Sequence, residues 1–142
     1  MKQEALRKEI EHILENSYIG PMATVKRNMP HSRYMTFYHN NLTLYTLTDK
    51  DTEKMEDLEK NPYTHIILGY EGERMGDAYV EYEGKVSFNE SAELKKQLWS
   101  NQLKQYFSSR DDPNLIVLEI KPLHIRLMNK KGEESPQELE IT

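Results

Sequence analysis

The chain contains no cysteine. That excludes disulfides, thiolate nucleophiles and cysteine-ligated zinc or iron–sulfur centres. No apolar run approaches membrane-spanning length, and the opening stretch, MKQEALRKEIEHIL, is too polar for a secretory signal. The cytoplasm is the expected compartment, and no membrane partner is expected. Glycine and proline number six each in 142 residues, too few for a low-complexity linker. Positive charge is also short. At a net −5 the chain has no overall electrostatic footprint for nucleic acid, so that partner is not expected either. GxSxG, P-loop and GxGxxG patterns are missing, which removes support for a hydrolase, a nucleotide triphosphatase or a Rossmann site. The five histidines show no HxxxH spacing, and no metal site is expected.

What is present suits one globular domain over residues 1–142. Hydrophobic residues make up 37 % and charged residues 30 %, a balance that can fold but implies a small core. Residues 2–16 read as an amphipathic helix with Leu6, Ile10, Ile13 and Leu14 on one face. Gly20 and Pro21 are expected to break the chain before a strand over 22–26, and Asn28 and Pro30 mark a turn. Residues 31–38 alternate, with His31, Arg33, Met35 and Phe37 on one face and Ser32, Tyr34, Thr36 and Tyr38 on the other. A polar break at His39, Asn40 and Asn41 predicts a hairpin to a strand over 42–48. A helix opens near Asp51 or Thr52, either of which can cap it, and ends at Asn61 and Pro62.

Farther on, residues 64–70 predict a strand buried on both faces at Ile66, Ile67 and Leu68. A polar loop is expected over 71–77. Residues 78–88 predict a strand with a bulge or close approach at Gly84. Ser91 caps a helix carrying Leu94, Leu98 and Trp99, continued through Leu103, Tyr106 and Phe107; Trp99 is expected to be a core or interface anchor. Two strands, over 115–120 and 124–128, are separated by Pro122. Residues 130–142 are expected to form a flexible tail. Six or seven short strands with hairpins and no βαβ alternation predict a mainly β domain with flanking helices, an antiparallel barrel.

The chemistry-bearing stretch is LTLYTLTDKDTEKMEDLEKNP, residues 42–62. A strand feeds a helix N-terminus, whose first N–H groups have no partner inside the helix. Thr48 and Thr52 supply hydroxyls and Lys54 a cation, a set suited to phosphate as well as to a plain helix cap. Arg33, on the preceding strand, would give a second cation; a salt bridge to one of the 24 acidic residues is the competing role. Asp49, Asp51 and Glu53 alternate as in a calcium loop, but Lys54 stands where glycine is needed and Lys60 where the closing Glu is needed.

These residues resemble a known family. Residues 30–35 (PHSRYM), Thr48 through Thr52 with Lys54 and the closing Asn61 and Pro62, residues 82–86 (YEGKV), and residues 112–115 (DPNL) before an apolar strand follow its order and spacing. The family is the pyridoxamine 5′-phosphate oxidase-like FMN-binding split barrels, and within it the general stress protein 26 branch. The resemblance implies an antiparallel split β-barrel that forms a homodimer with FMN at the interface. It implies that Arg33, Lys54 and the Thr52 hydroxyl hold the FMN phosphate. Met35 and Thr36 would offer main-chain groups to the isoalloxazine edge, and Leu47 and Thr48 would lie along the ring and ribityl chain. Trp99 or Tyr106 of a partner subunit would close the other side.

Three departures qualify this. Glu53 stands where the oxidase tends to have a second basic residue. The chain reads Leu127, Met128 where the family often has a tryptophan. The oxidase's C-terminal Trp and Arg pattern for its vitamin substrate is absent, so vitamin B6 oxidation is not expected. The expectation is an FMN-binding, oxidoreductase-like protein with no identified catalytic side chain, acting on a small-molecule redox substrate that the sequence does not identify. Two alternatives stay open: a flavin-binding or interaction module without turnover, and a relative that binds deazaflavin or haem.

Overall fold

The computed structural model describes residues 1–72 and 77–141. Three helices and eight strands follow one another as α1 (Gln3–Asn16), β1 (Ile19–Lys26), β2 (Met29–Thr36), β3 (Tyr38–Asn40), β4 (Thr43–Asp49), α2 (Glu53–Lys60), β5 (Tyr63–Leu68), β6 (Tyr79–Asn89), α3 (Ala92–Leu98), β7 (Leu115–Met128) and β8 (Gln137–Leu139). The strands form one sheet in the order β2-β1-β5-β6-β7-β4-β3, with β8 added beside β7. Every pairing is antiparallel. The fold is thus mainly β with flanking helices, as its hairpin-rich pattern predicts.

The sheet is not closed by a ladder. Its two terminal strands, β2 and β3, are consecutive in the chain and separated only by Phe37. One hydrogen bond spans the seam, from the Thr46 hydroxyl of β4 to the Thr36 carbonyl of β2 at 2.7 Å, while the Phe37 N–H, donating to the Tyr18 carbonyl at 2.6 Å, extends the β1–β2 pairing. Among the described residues, no helix is long and apolar enough to cross a membrane.

Hydrophobic periodicity builds the core. Leu6, Ile10, Ile13 and Leu14 are the buried face of α1. Opposite them in the core lie Ile66, Val80, Leu118, Ile120 and Ile125, all essentially inaccessible to water. Each such side chain contributes about 1.5–3 kcal/mol by leaving water. Tyr82 is also fully buried, and its hydroxyl lies 2.6 Å from the Leu42 carbonyl and 2.9 Å from that of Ile120. Burial raises its ionisation far above the ordinary phenol range, so it acts as a neutral donor.

Local departures from the sequence expectations have physical causes. Gly20 and Pro21 continue β1 instead of breaking it. A Cβ on Gly20 would lie 2.0 Å from the Ile67 carbonyl, so glycine here permits close approach of β5. The hairpin turn is Arg27–Asn28, both at positive φ, with Lys26 paired to Met29; Pro30 lies within β2. The hairpin to β4 is made by β3 alone, because β2 pairs with β1. In β5, Thr64, Ile66 and Leu68 are buried and Ile67 is only half-buried, so burial is one-sided. The two strands expected around Pro122 are one 14-residue strand, β7. Pro122 falls where β7 has left β4 and not yet met β8, so on that side its missing N–H interrupts no ladder.

Gly84 does mark a bulge, with a register shift between Glu83 and Gly84; a Cβ there would meet Ile120 Cγ2 at 2.5 Å. The tail does not remain free along its length: Gln137–Leu139 form β8, and Leu139 is buried. The expected helix over residues 91–107 stops at Trp99, its C-cap, and resumes as a 3-10 helix, Asn101–Gln105. Ser91 caps α3 by accepting the Leu94 N–H. No residue of α3 is buried, and Trp99 is only half-buried, not a core anchor of this chain. The loop expected over 71–77 lies partly outside the described residues.

Candidate functional site

The open seam creates a cleft of about 500 Å³. One wall is β2, whose outer backbone edge is unpaired because it ends the sheet. Met35 and Thr36 line that wall. Across from it stand Leu47, Thr48 and Asp49 at the end of β4. Thr52 and Lys54, at the start of α2, form one end. Six of the seven residues singled out in the sequence therefore meet in one cavity. The seventh, Arg33, does not line the cavity wall, but its charge acts directly on Lys54.

The turn into α2 explains why this end is cationic. Asp51 N–H donates to Asp49 Oδ1 at 2.8 Å, and the Thr52 N–H and hydroxyl both donate to the Asp49 carbonyl, at 3.2 and 3.0 Å. Thr52 is the N-cap residue, yet its side chain makes no capping bond, contrary to the sequence expectation. The helix therefore begins without a side-chain acceptor on its first N–H groups. Lys54 Nζ donates to Thr52 Oγ1 at 3.2 Å, which places the ammonium and hydroxyl side by side.

Arg33 and Lys54 are both half-buried. Arg33 donates to the Met22 carbonyl at 3.1 Å. Among the described residues neither cation has a carboxylate within ion-pair distance. Burial lowers the pKa of Lys54, and repulsion from Arg33 lowers it further against the opposing pull of Asp49. Burial likewise lowers that of Arg33, opposed by Asp57 and Glu53. Two neighbouring, partly desolvated cations are unfavourable without an anion to share. Glu53 does not fill that role. It is exposed and bonded to Lys26 at 3.0 Å, an interaction that holds its pKa below the usual carboxylate range.

The far end of the cleft was not legible in the motif. Ile19, Tyr34 and Tyr38 line it, with Leu103, Tyr106 and Phe107 from the segment around the 3-10 helix. Alternation alone puts Tyr34 on the face opposite Arg33, and only the unpaired edge of β2 brings both faces to one cavity. Leu103 to Phe107 arrive from a segment distant in sequence, for which no local pattern exists. Tyr106, expected from a partner subunit, lies on the cleft of its own chain and is 75 % exposed.

Comparison with known proteins agrees with this arrangement. The family model described as pyridoxamine 5′-phosphate oxidase matches residues 6–129. General stress protein 26 of Bacillus subtilis (strain 168) is 50 % identical over 141 residues, 99 % of this chain and 100 % of that protein. The crystal structure of General Stress Protein 26 from Bacillus anthracis str. Sterne is 32 % identical, covers 96 % of this chain and 98 % of its own, and superposes with a TM-score of 0.84. A heme binding protein from Mycobacterium smegmatis shares the fold at a TM-score of 0.75 with 17 % identity, over 93 % of this chain and 57 % of its own. An open antiparallel sheet, a cleft at its seam and these matches together place the chain in the pyridoxamine 5′-phosphate oxidase family, of split-barrel fold.

Proposed function

We propose that the cleft binds FMN and that the protein is a cytoplasmic, homodimeric flavoprotein of oxidoreductase type. The observation that carries this reading is the pair of half-buried cations, Arg33 and Lys54, with no carboxylate partner among the described residues, beside an uncapped helix start. A phosphate there would receive charge-assisted bonds from Lys54, the Thr52 hydroxyl and the α2 N–H groups, with Arg33 reinforcing the field. Met35 and Thr36 would face the isoalloxazine, and Leu47 and Thr48 the ring and ribityl chain. FMN, when bound, supplies hydride or electron transfer; the chain supplies position and electrostatics.

The family resemblance supports the dimer, as does Tyr106, whose exposed ring a second copy would cover. Haem is the second cofactor reading: the described lining of the cleft contains no histidine, and Met35, Tyr34, Tyr38 or Tyr106 would have to serve as axial ligand. The absence of the oxidase's substrate residues keeps a second reading in play, flavin binding without turnover.

Titration with FMN, followed by its absorbance, tests the proposal. Wild-type protein is expected to bind with a dissociation constant of tens of micromolar or tighter, about −6 kcal/mol or better. Arg33→Ala and Lys54→Ala are each expected to weaken binding at least about tenfold. No binding by the wild type in that range overturns the FMN reading. Flavin binding without reduction by NADH or NADPH selects the module over the enzyme. Sedimentation velocity tests the dimer.

A further inference from the structure

Asp57 is a buried acidic residue with no role yet in the site. It lies on α2, is only 7 % exposed, and shares the buried face of that helix with Met55 and Leu58. Among the described residues its carboxylate belongs to no ion pair. A carboxylate so placed is costly unless a cation lies near it.

The register of β1 and β2 identifies that cation. Arg33 stands directly opposite Met22, so the two side chains leave the sheet on the same face. Met22 is fully buried, which makes that face the inner one. Helix α2 packs against β1. Lys26 Nζ of β1 donates to Glu53 Oε1 at 3.0 Å, and Asp57, one turn after Glu53, borders a depression with Val25 and Lys26. Burial lowers the pKa of Arg33, and the largest opposing influence is Asp57, ahead of Glu53. Arg33 also donates to the Met22 carbonyl at 3.1 Å and does not line the cleft, whereas Lys54 does. A direct bond from Arg33 to an anion in the cleft therefore requires the guanidinium to turn away from that carbonyl and from Asp57.

We infer that Asp57 is a competing counter-charge for Arg33, a positioning residue that holds the guanidinium behind the cleft until an anion draws it forward. The guanidinium keeps its charge at any ordinary pH and cannot face two anions on different sides equally well. Asp57 thus lowers the affinity of the cleft for phosphate below what Arg33 and Lys54 would otherwise reach, and keeps the bound group exchangeable. This inference rests on the phosphate-binding role proposed above.

Asp57→Asn, which removes the charge and keeps the shape, tests this. The variant is expected to bind FMN at least about fivefold tighter than wild type, and the gain should vanish in an Arg33→Ala background. Riboflavin, without a phosphate, should bind both proteins alike. A purely structural role for Asp57 predicts the opposite sign, weaker binding by a less stable protein. Unchanged or weaker FMN binding by the folded variant, or equal tightening without Arg33, overturns the inference. Circular dichroism checks the fold, and Asp57→Ser takes the place of Asp57→Asn should the latter not fold. A second readout needs no ligand. Phenylglyoxal reacts with guanidinium groups, and its rate of modification at Arg33, followed by peptide mass spectrometry, should rise at least about threefold in Asp57→Asn. Equal rates overturn the inference. If the wild type binds no FMN, the cofactor reading fails, and the modification rate alone decides whether Asp57 restrains Arg33.

Discussion

Tyr82 and Lys54 show two ways of placing a polar group inside this molecule. Tyr82 lies in the sheet interior, wholly buried, with its hydroxyl matched by two carbonyls. Lys54 lies at the seam, half-buried, with a neighbouring arginine where a carboxylate would be expected. At Tyr82 the interior satisfies a polar atom from its own backbone. The seam leaves positive charge unneutralised among the described residues, at a cost in stability that a bound anion would remove. Sites and scaffold differ here less in hydrophobicity than in whether their electrostatics are complete without a ligand.

The largest expected effect is in the interior. Leu118→Ala should cost about 2–5 kcal/mol in chemical denaturation, because the cavity cannot refill. Tyr82→Phe should cost about 1–3 kcal/mol by orphaning buried carbonyls, with no change in FMN affinity beyond that of a less stable protein. The seam should behave oppositely. Lys54→Met should leave stability unchanged or raised, since a partly desolvated cation is removed, while FMN affinity drops at least about tenfold. Riboflavin, which lacks the phosphate, should bind wild type and Lys54→Met alike. A Lys54→Met protein that is both destabilised and unaffected in FMN binding would collapse the contrast.

A pH titration sharpens it. The folded-state pKa of Lys54 is lowered relative to the unfolded chain. Its charged form therefore opposes folding at neutral pH, and that penalty disappears as pH rises through the folded value toward the unfolded one. A phosphate would favour the charged form. FMN affinity should accordingly decline with rising pH before an ordinary lysine would lose its proton, and Lys54→Arg should abolish that decline up to about pH 11. The smallest effect is expected at Glu53. Glu53→Gln should tighten FMN about two- to threefold, whereas Lys26→Met should weaken it by a similar factor by releasing Glu53 toward Arg33. In a Glu53→Gln background, Lys26→Met should have little effect.

The scaffold was legible wherever one residue's environment follows from its near neighbours. The spacing of Leu6, Ile10, Ile13 and Leu14 specified α1, and alternation through Arg33 and Met35 specified β2. Gly84 announced its bulge because a strand glycine has few other reasons to exist. Gly20, Pro21 and Pro122 misled for the converse reason. Each is a breaker by local propensity, and each is accommodated by a pairing that only the assembled sheet reveals. The Thr48–Lys54 part of the cleft is contiguous and could be read as a unit. The aromatic end could not, since Ile19, Tyr34 and Tyr106 converge only through sheet order and a long excursion of the chain. Residues 137–139 escaped notice because a three-residue strand carries almost no periodic signal.

The single residue between β2 and β3 makes the seam a wedge. At Phe37 the two walls are held together covalently, and the Thr46 hydroxyl pins them again beside that apex. Toward Arg33 and the start of α2, among the described residues, no hydrogen bond joins β2 to β4. Breathing of the barrel would therefore open the broad end and leave the narrow end nearly fixed. Such a shape would gauge length: were FMN the ligand, its ring would stop where the walls converge, and its phosphate would meet Lys54 only if the chain between the two groups had the right span. Selectivity for FMN over shorter or longer phosphates would then reside in Phe37, a residue that is buried in the core and does not line the cavity.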